Sequence, residues 1–169
     1  MQSLDAVVRD VSRTFALSIE VLPSQLRKAV GIAYLMFRVS DGIEDHESLS
    51  VERKVSLLQQ WDRVIRGIEP VSHLTAELSD LDPTDPEVNV VRNADQVLKW
   101  LGELPPEYQT PILDHVHQTT CGMARWQAHG PWVADEAELD DYMHEVAGRV
   151  GYLVTDLFAL HAPDIAEQK

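Results

Sequence analysis

Apolar residues recur at spacings of three and four along nearly the whole chain, the period of helices with one buried face. Leu4, Val7, Val8, Val11 and Phe15 set the first such stripe, which predicts a single helix from Leu4 to Phe15. Leu22-Pro23-Ser24 interrupts it, with Ser24 suited to cap the next helix. That helix is expected from Gln25 to Asp45, on Leu26, Val30, Ala33 and Phe37. A third follows from Val51 to Ile68, on Val55, Leu58, Trp61, Ile65 and Ile68.

Residues 69 to about 87 are rich in Asp, Pro and Ser (LSDLDPTDPE) and read as a surface loop with room for one short helical turn. Helical patterning resumes from Val88 to Leu101 and from Pro106 to His129, where a proline suits the first turn. Gly130-Pro131 is a stop, and the last helix is expected from Asp135 to Leu160, closed by His161-Ala-Pro163. No alternating run of β-branched residues competes and no internal repeat is visible. The predicted fold class is all-α, in one domain spanning 1–169.

Charge narrows the function classes. Twenty-eight acidic against 14 basic residues give −14, a surface that repels nucleic-acid phosphates and suits an anionic leaflet poorly. The expected partners therefore exclude nucleic acid and allow at most peripheral membrane contact. Cys121 is the single cysteine, so no intrachain disulfide or multi-cysteine zinc cluster forms, as suits a reducing cytoplasm. The first residues lack the apolar core of a signal peptide, and no stretch is long and uncharged enough to span a bilayer. A soluble, cytoplasmic protein is the expectation.

The segment from Tyr34 to Asp45 carries the most chemistry. At 3.6 residues per turn, Tyr34, Arg38, Asp41 and Asp45 share one face, placing a phenol, a guanidinium and two carboxylates among Leu35, Phe37 and Val39. Polar groups in such surroundings are costly unless paired or coordinated. Carboxylates four apart repel, and a hard cation resolves the conflict: Mg2+ binds one or two carboxylates and completes its shell with water and phosphate. Arg38, one turn away, suits a phosphate oxygen or a carboxylate. A solvated mixture of charges at a helix end has the same spacing, so spacing alone leaves both readings standing.

The run Ser12-Arg-Thr-Phe-Ala16, then Leu22-Pro23, then Tyr34 to Asp45 resembles the opening of the squalene/phytoene synthase family. Leu104 to Tyr108 through Gly122 to Trp126 resembles its squalene-synthase side, and Asp141 to Gly151 resembles the family's tyrosine-containing VAGxVG helix. The resemblance covers essentially the whole chain but only the first half of a family member. It implies an isoprenoid-synthase-type helical bundle, present as its first half. It further implies Mg2+ on Asp41 and Asp45 with Glu44 close by, diphosphate contacts from Ser12, Arg13 and Arg38, and active-site phenols at Tyr34 and Tyr142. The activity implied is condensation of isoprenyl diphosphates, farnesyl diphosphate to presqualene diphosphate or squalene, with NADPH needed only for reduction to squalene.

The family's second aspartate-rich motif has no counterpart in this sequence. The favoured expectation is one subunit of a split enzyme, with a second protein chain supplying that motif. Prenyl transfer to a non-isoprenoid acceptor and a non-catalytic helical interaction subunit are the alternatives. Outside the motifs, Met123 and Trp126 read as core or cavity lining. His115 and His117, two apart, face different ways and form no metal pair. Gly148 and Gly151 each weaken a helix by about 1 kcal/mol relative to alanine, so each is expected to admit a neighbouring helix or a prenyl chain against the backbone.

Overall fold

The computed structural model describes residues 3–82 and 86–166, and every regular element among them is helical. In chain order these are α1 Leu4–Val11, α2 Arg13–Glu20, α3 Ser24–Glu44, α4 Val51–Ile65, α5 Val71–Ala76, α6 Pro86–Arg92 and α7 Ala94–Gly102. Then come α8 Pro106–His129, α9 Glu136–Met143, a π-helical turn His144–Gly148, α10 Arg149–His161 and α11 Pro163–Ala166.

α3 is the central post. Leu26, Ala29, Ile32, Leu35, Met36, Val39 and Ile43 are buried around its circumference, and α1, α2, α4, α6, α7, α8 and α10 all pack on it. Each large side chain so enclosed contributes about 1.5–3 kcal/mol of transfer free energy. Between Val30 and Ile43 only Val30, Tyr34, Arg38 and Asp41 stay partly open, along one stripe. α4 and α8 make the most extensive helix pair, with Leu57, Leu58 and Trp61 buried on α4 and Ile112 and Val116 buried on α8.

Several boundaries differ from the periodicity. The first expected helix is broken at Ser12, whose backbone is extended (φ −156°, ψ 115°) and whose Oγ accepts the Phe15 N–H at 3.3 Å. Its side chain competes with the helical ladder and caps α2, so the apolar stripe continues while the axis does not. Ser24 is the first residue of α3 rather than its cap, which is Pro23, and no side chain caps that end. α4 stops at Ile65 because Gly67 takes φ +69°, and the Ile68 N–H turns back to the Arg63 carbonyl at 2.8 Å. The expected loop contains α5, which buries Leu74, and residues 83–85 lie outside those described. The helix expected from Val88 is two helices parted at Asn93, whose amide donates to the Asn89 carbonyl at 2.7 Å. The last one is a single rod with a π turn inside it.

One buried polar contact ties α3 to α8. Ser40 Oγ and Thr120 Oγ1 are 2.8 Å apart, both fully enclosed, one residue before Asp41. Ser40→Ala strands the threonine hydroxyl and is expected to cost about 1–3 kcal/mol. Adding Thr120→Val removes the stranded group, so the double variant should be destabilised by less than the sum of the singles. Urea unfolding of all four proteins measures this; additive losses would contradict the contact.

Candidate functional site

The open stripe of α3 faces a cleft of about 410 Å³ between α2, α3, the π turn and α10. Its walls are apolar: Phe15, Ile19 and Leu22 from α2 and the turn after it, Val30, Ala33 and Phe37 from α3, and Val146, Val150, Leu153 and Leu157 opposite. Tyr34, Arg38 and Asp41 supply polar groups along one wall. Tyr34 stacks at a tilt on Phe15, ring centroids 5.2 Å apart. Arg38 Nη1 donates to Asp41 Oδ2 at 3.2 Å, and both side chains are partly open to solvent. Three of the four expected stripe residues thus line one cavity with apolar walls.

The fourth, Asp45, is exposed and caps α3, its N–H bonded to the Asp41 carbonyl at 2.8 Å. Glu44 points the other way, into a second cleft of about 480 Å³ with Trp126, Gln127 and Tyr142. The Gln127 amide donates to Glu44 Oε1 at 2.8 Å, and Lys54 donates to the Glu44 backbone carbonyl. Tyr142 meets Trp126 edge-on at 5.4 Å. The end of α3 therefore divides the predicted residues between two clefts. Ser12 and Arg13 line neither: Ser12 is held as a cap, and Arg13 stands exposed in the first turn of α2.

Electrostatics ties Asp45 to the second cleft. Burial raises the Glu44 carboxyl above its usual range, and a hydrogen bond with Asp45 raises it further. Burial also raises the Tyr142 phenol, with the Glu44 and Asp45 charges adding to it. Crowded carboxylates, which offer only hard oxygen donors, are groups that suit Mg2+. Because the folded Glu44 holds its proton to higher pH than the unfolded one, its contribution to stability is present in acid. That contribution is lost as pH rises through the folded value. Glu44→Gln keeps an acceptor for Gln127 and removes the buried charge. The metal-free variant should melt above the parent at neutral pH and lose that advantage in acid. Each kcal/mol regained is worth about 2–4 °C in a chain of this size. A pH-independent difference in Tm would contradict it.

The helix of Asp141 to Gly151 serves differently from expectation. A Cβ on Gly151 would meet no atom within 4 Å, so no described helix packs there and the glycine opens onto solvent. A Cβ on Gly148 would reach only its own preceding turn, with His144 Nδ1 at 3.4 Å. The close approach is at Gly122, where a Cβ would lie 2.5 Å from Glu145 Oε2. Glu145 is bound by Arg149 through Nε at 3.0 Å and Nη2 at 2.9 Å, and Arg125 stands 3.7 Å away. Gln127, Arg149 and the Glu145 seat escaped the sequence reading because no local spacing marks partners 83 or 31 residues away.

A family model described as squalene/phytoene synthase matches residues 8–168. The chain belongs to that family. It is 32% identical over 148 residues to the squalene synthase of Rattus norvegicus, covering 88% of this chain and 33% of the rat protein. Squalene synthase 10 of Panax ginseng is 33% identical over 162 residues, covering 95% of this chain and 37% of that protein. A solved complex of TcSQS with the ligand BPH1237 superposes with TM-score 0.77 at 28% identity, covering 94% of this chain and 44% of that one. The chain thus spans about a third of the length of the curated relatives it matches. The all-α fold and the resemblance to this family both hold. Among the described residues no helix is long and apolar enough to cross a membrane.

Proposed function

We propose that this chain binds and ionises an isoprenyl diphosphate in a Mg2+-dependent condensation of the farnesyl-to-presqualene or squalene type, as one subunit of a split cytoplasmic enzyme. The observation that carries this reading is the α3 stripe: a phenol, a guanidinium and a carboxylate along one wall of a cleft lined elsewhere by apolar side chains and Ser18. A ligand complementary to it has a long apolar tail and a compact polyanionic head.

The roles follow from placement. Asp41, Asp45 and Glu44 would hold Mg2+, which supplies charge neutralisation to a departing diphosphate. Arg38 adds a fixed positive charge one turn away, released from Asp41 as phosphate oxygens arrive. Arg13, exposed in the first turn of α2 and lining neither cleft, would reach the head group only by swinging towards it. Phe15, Phe37 and the α10 wall exclude water from an allylic cation, and Tyr34, already against Phe15, places its phenol along the tail. Tyr142, its phenol raised by burial and by the Glu44 and Asp45 charges, would act as a neutral hydroxyl from the second cleft.

A second chain is part of the reading because the far side of this cleft is uncovered. Phe15, Leu17, Val150, Tyr152 and Val154 are exposed on α2 and α10. Apolar surface of that extent marks an interaction face. Co-expression with the neighbouring open reading frame, size exclusion and an assay with farnesyl diphosphate and Mg2+ test the proposal. Co-elution with pyrophosphate release and presqualene diphosphate is expected. Product only with an added aromatic acceptor would indicate prenyl transfer to that acceptor. A chain that binds no diphosphate with its partner present would leave an interaction subunit.

A further inference from the structure

On the contact between α4 and α8, away from both clefts, three metal-ligand side chains meet. Asp62 Oδ1 is hydrogen-bonded to His117 Nδ1, and Cys121 Sγ lies 3.7 Å from the same nitrogen. One donor atom from each residue lies within 4.8 Å of the others. His117 and Cys121 are four apart on α8 and so share a face, while Asp62 reaches them from α4. We propose that Asp62, His117 and Cys121 form a three-ligand site for a borderline-soft divalent cation, Zn2+ foremost, that clamps α4 to α8.

The geometry separates this from a nucleophilic arrangement. In a cysteine–histidine–carboxylate relay the thiol and the carboxylate engage opposite ring nitrogens. Here both crowd Nδ1, so the ring cannot pass a proton from one to the other. A divalent cation satisfies all three donors at once and balances the two anionic ones. The spacing agrees: bonds of about 2.3 Å to sulfur and 2.0–2.1 Å to nitrogen, at a tetrahedral angle, put these atoms roughly 3.5 Å apart. The other Asp62 oxygen stands 3.7 Å from Arg66 Nη1, which orients the carboxylate without occupying Oδ1. Cys121 is exposed, which gives the ion an entry path and leaves its fourth position to water.

The test is Co2+ titration of the full chain after dialysis against a chelator. One equivalent should bind with an intense thiolate-to-cobalt charge-transfer band and tetrahedral visible bands, all displaced by Zn2+. Cys121→Ser, at an exposed position that leaves the fold intact, should abolish the charge-transfer band. His117→Gln and Asp62→Asn should weaken binding by more than the about 10–100-fold that loss of an outer-shell partner costs. Zn2+ should raise the Tm of the parent and leave that of Cys121→Ser unmoved. The oxygen-only set at Asp41, Glu44 and Asp45 gives no such band, so Asp41→Ala should leave it unchanged. Absence of the band, or a band that survives undiminished in both His117→Gln and Asp62→Asn, would overturn the site.

Discussion

Asp41→Ala is expected to lower turnover of the assembled enzyme by about 10²–10³-fold or more while leaving the fold in place, since one preorganised electrostatic contact to developing charge is commonly worth that much. The structural cost is small by comparison. Asp41 is partly exposed and pairs with Arg38 across one helical turn, an interaction worth about 0.2–0.5 kcal/mol. The melting temperature should therefore move by no more than about 2 °C. Asp41→Asn keeps the shape and removes only the charge, so it should lose nearly as much activity as alanine. Pyrophosphate release, with circular dichroism on the same samples, separates chemistry from folding. Full activity in either variant would end the assignment of Asp41 to the diphosphate site. A parallel loss of activity and helicity would make it a structural residue instead.

What the sequence made legible was whatever repeats within a helix. The stripe of Tyr34, Arg38 and Asp41 follows from helical period alone, and the structure does bring all three to one cleft. That Glu44 leaves this cleft for Trp126, Gln127 and Tyr142 was not legible, because it depends on where α8 crosses the end of α3. Boundaries failed where a single side chain outbids the backbone ladder: Ser12 breaks a continuous apolar stripe, and Asn93 parts α6 from α7. The glycine that a neighbouring element crowds is Gly122, whose partner Glu145 sits on another element and so leaves no local signal beside Gly148 and Gly151. The pairing of His117 with Asp62 was likewise invisible, although the divergence of His115 and His117 was not: His115 turns instead to Asp156 at 3.1 Å.

Trp61→Ala should produce the largest loss of stability in the chain, about 3–5 kcal/mol. Trp61 is fully enclosed on α4, whose most extensive contact is with α8, and truncation leaves a void that close-packed neighbours fill only partly. At about 2–4 °C per kcal/mol, the Tm should drop by roughly 6–20 °C. Trp61→Phe separates volume from polarity. The indole N–H is buried without a hydrogen-bond partner among the described residues, a desolvated donor that itself costs about 1–3 kcal/mol. Phenylalanine gives up part of the ring contact but removes that donor, so its penalty should be a small fraction of alanine's. The functional consequence runs through α8, which brings Gln127 to Glu44 and Trp126 to Tyr142. Activity of Trp61→Ala should therefore fall with the folded fraction as temperature rises, with turnover per folded molecule nearly unchanged in the cold. Denaturant unfolding beside activity at two temperatures measures both. Equal penalties for phenylalanine and alanine would mean that the indole N–H is satisfied in solution and that its hydrogen bond, not ring volume, is what Trp61 contributes.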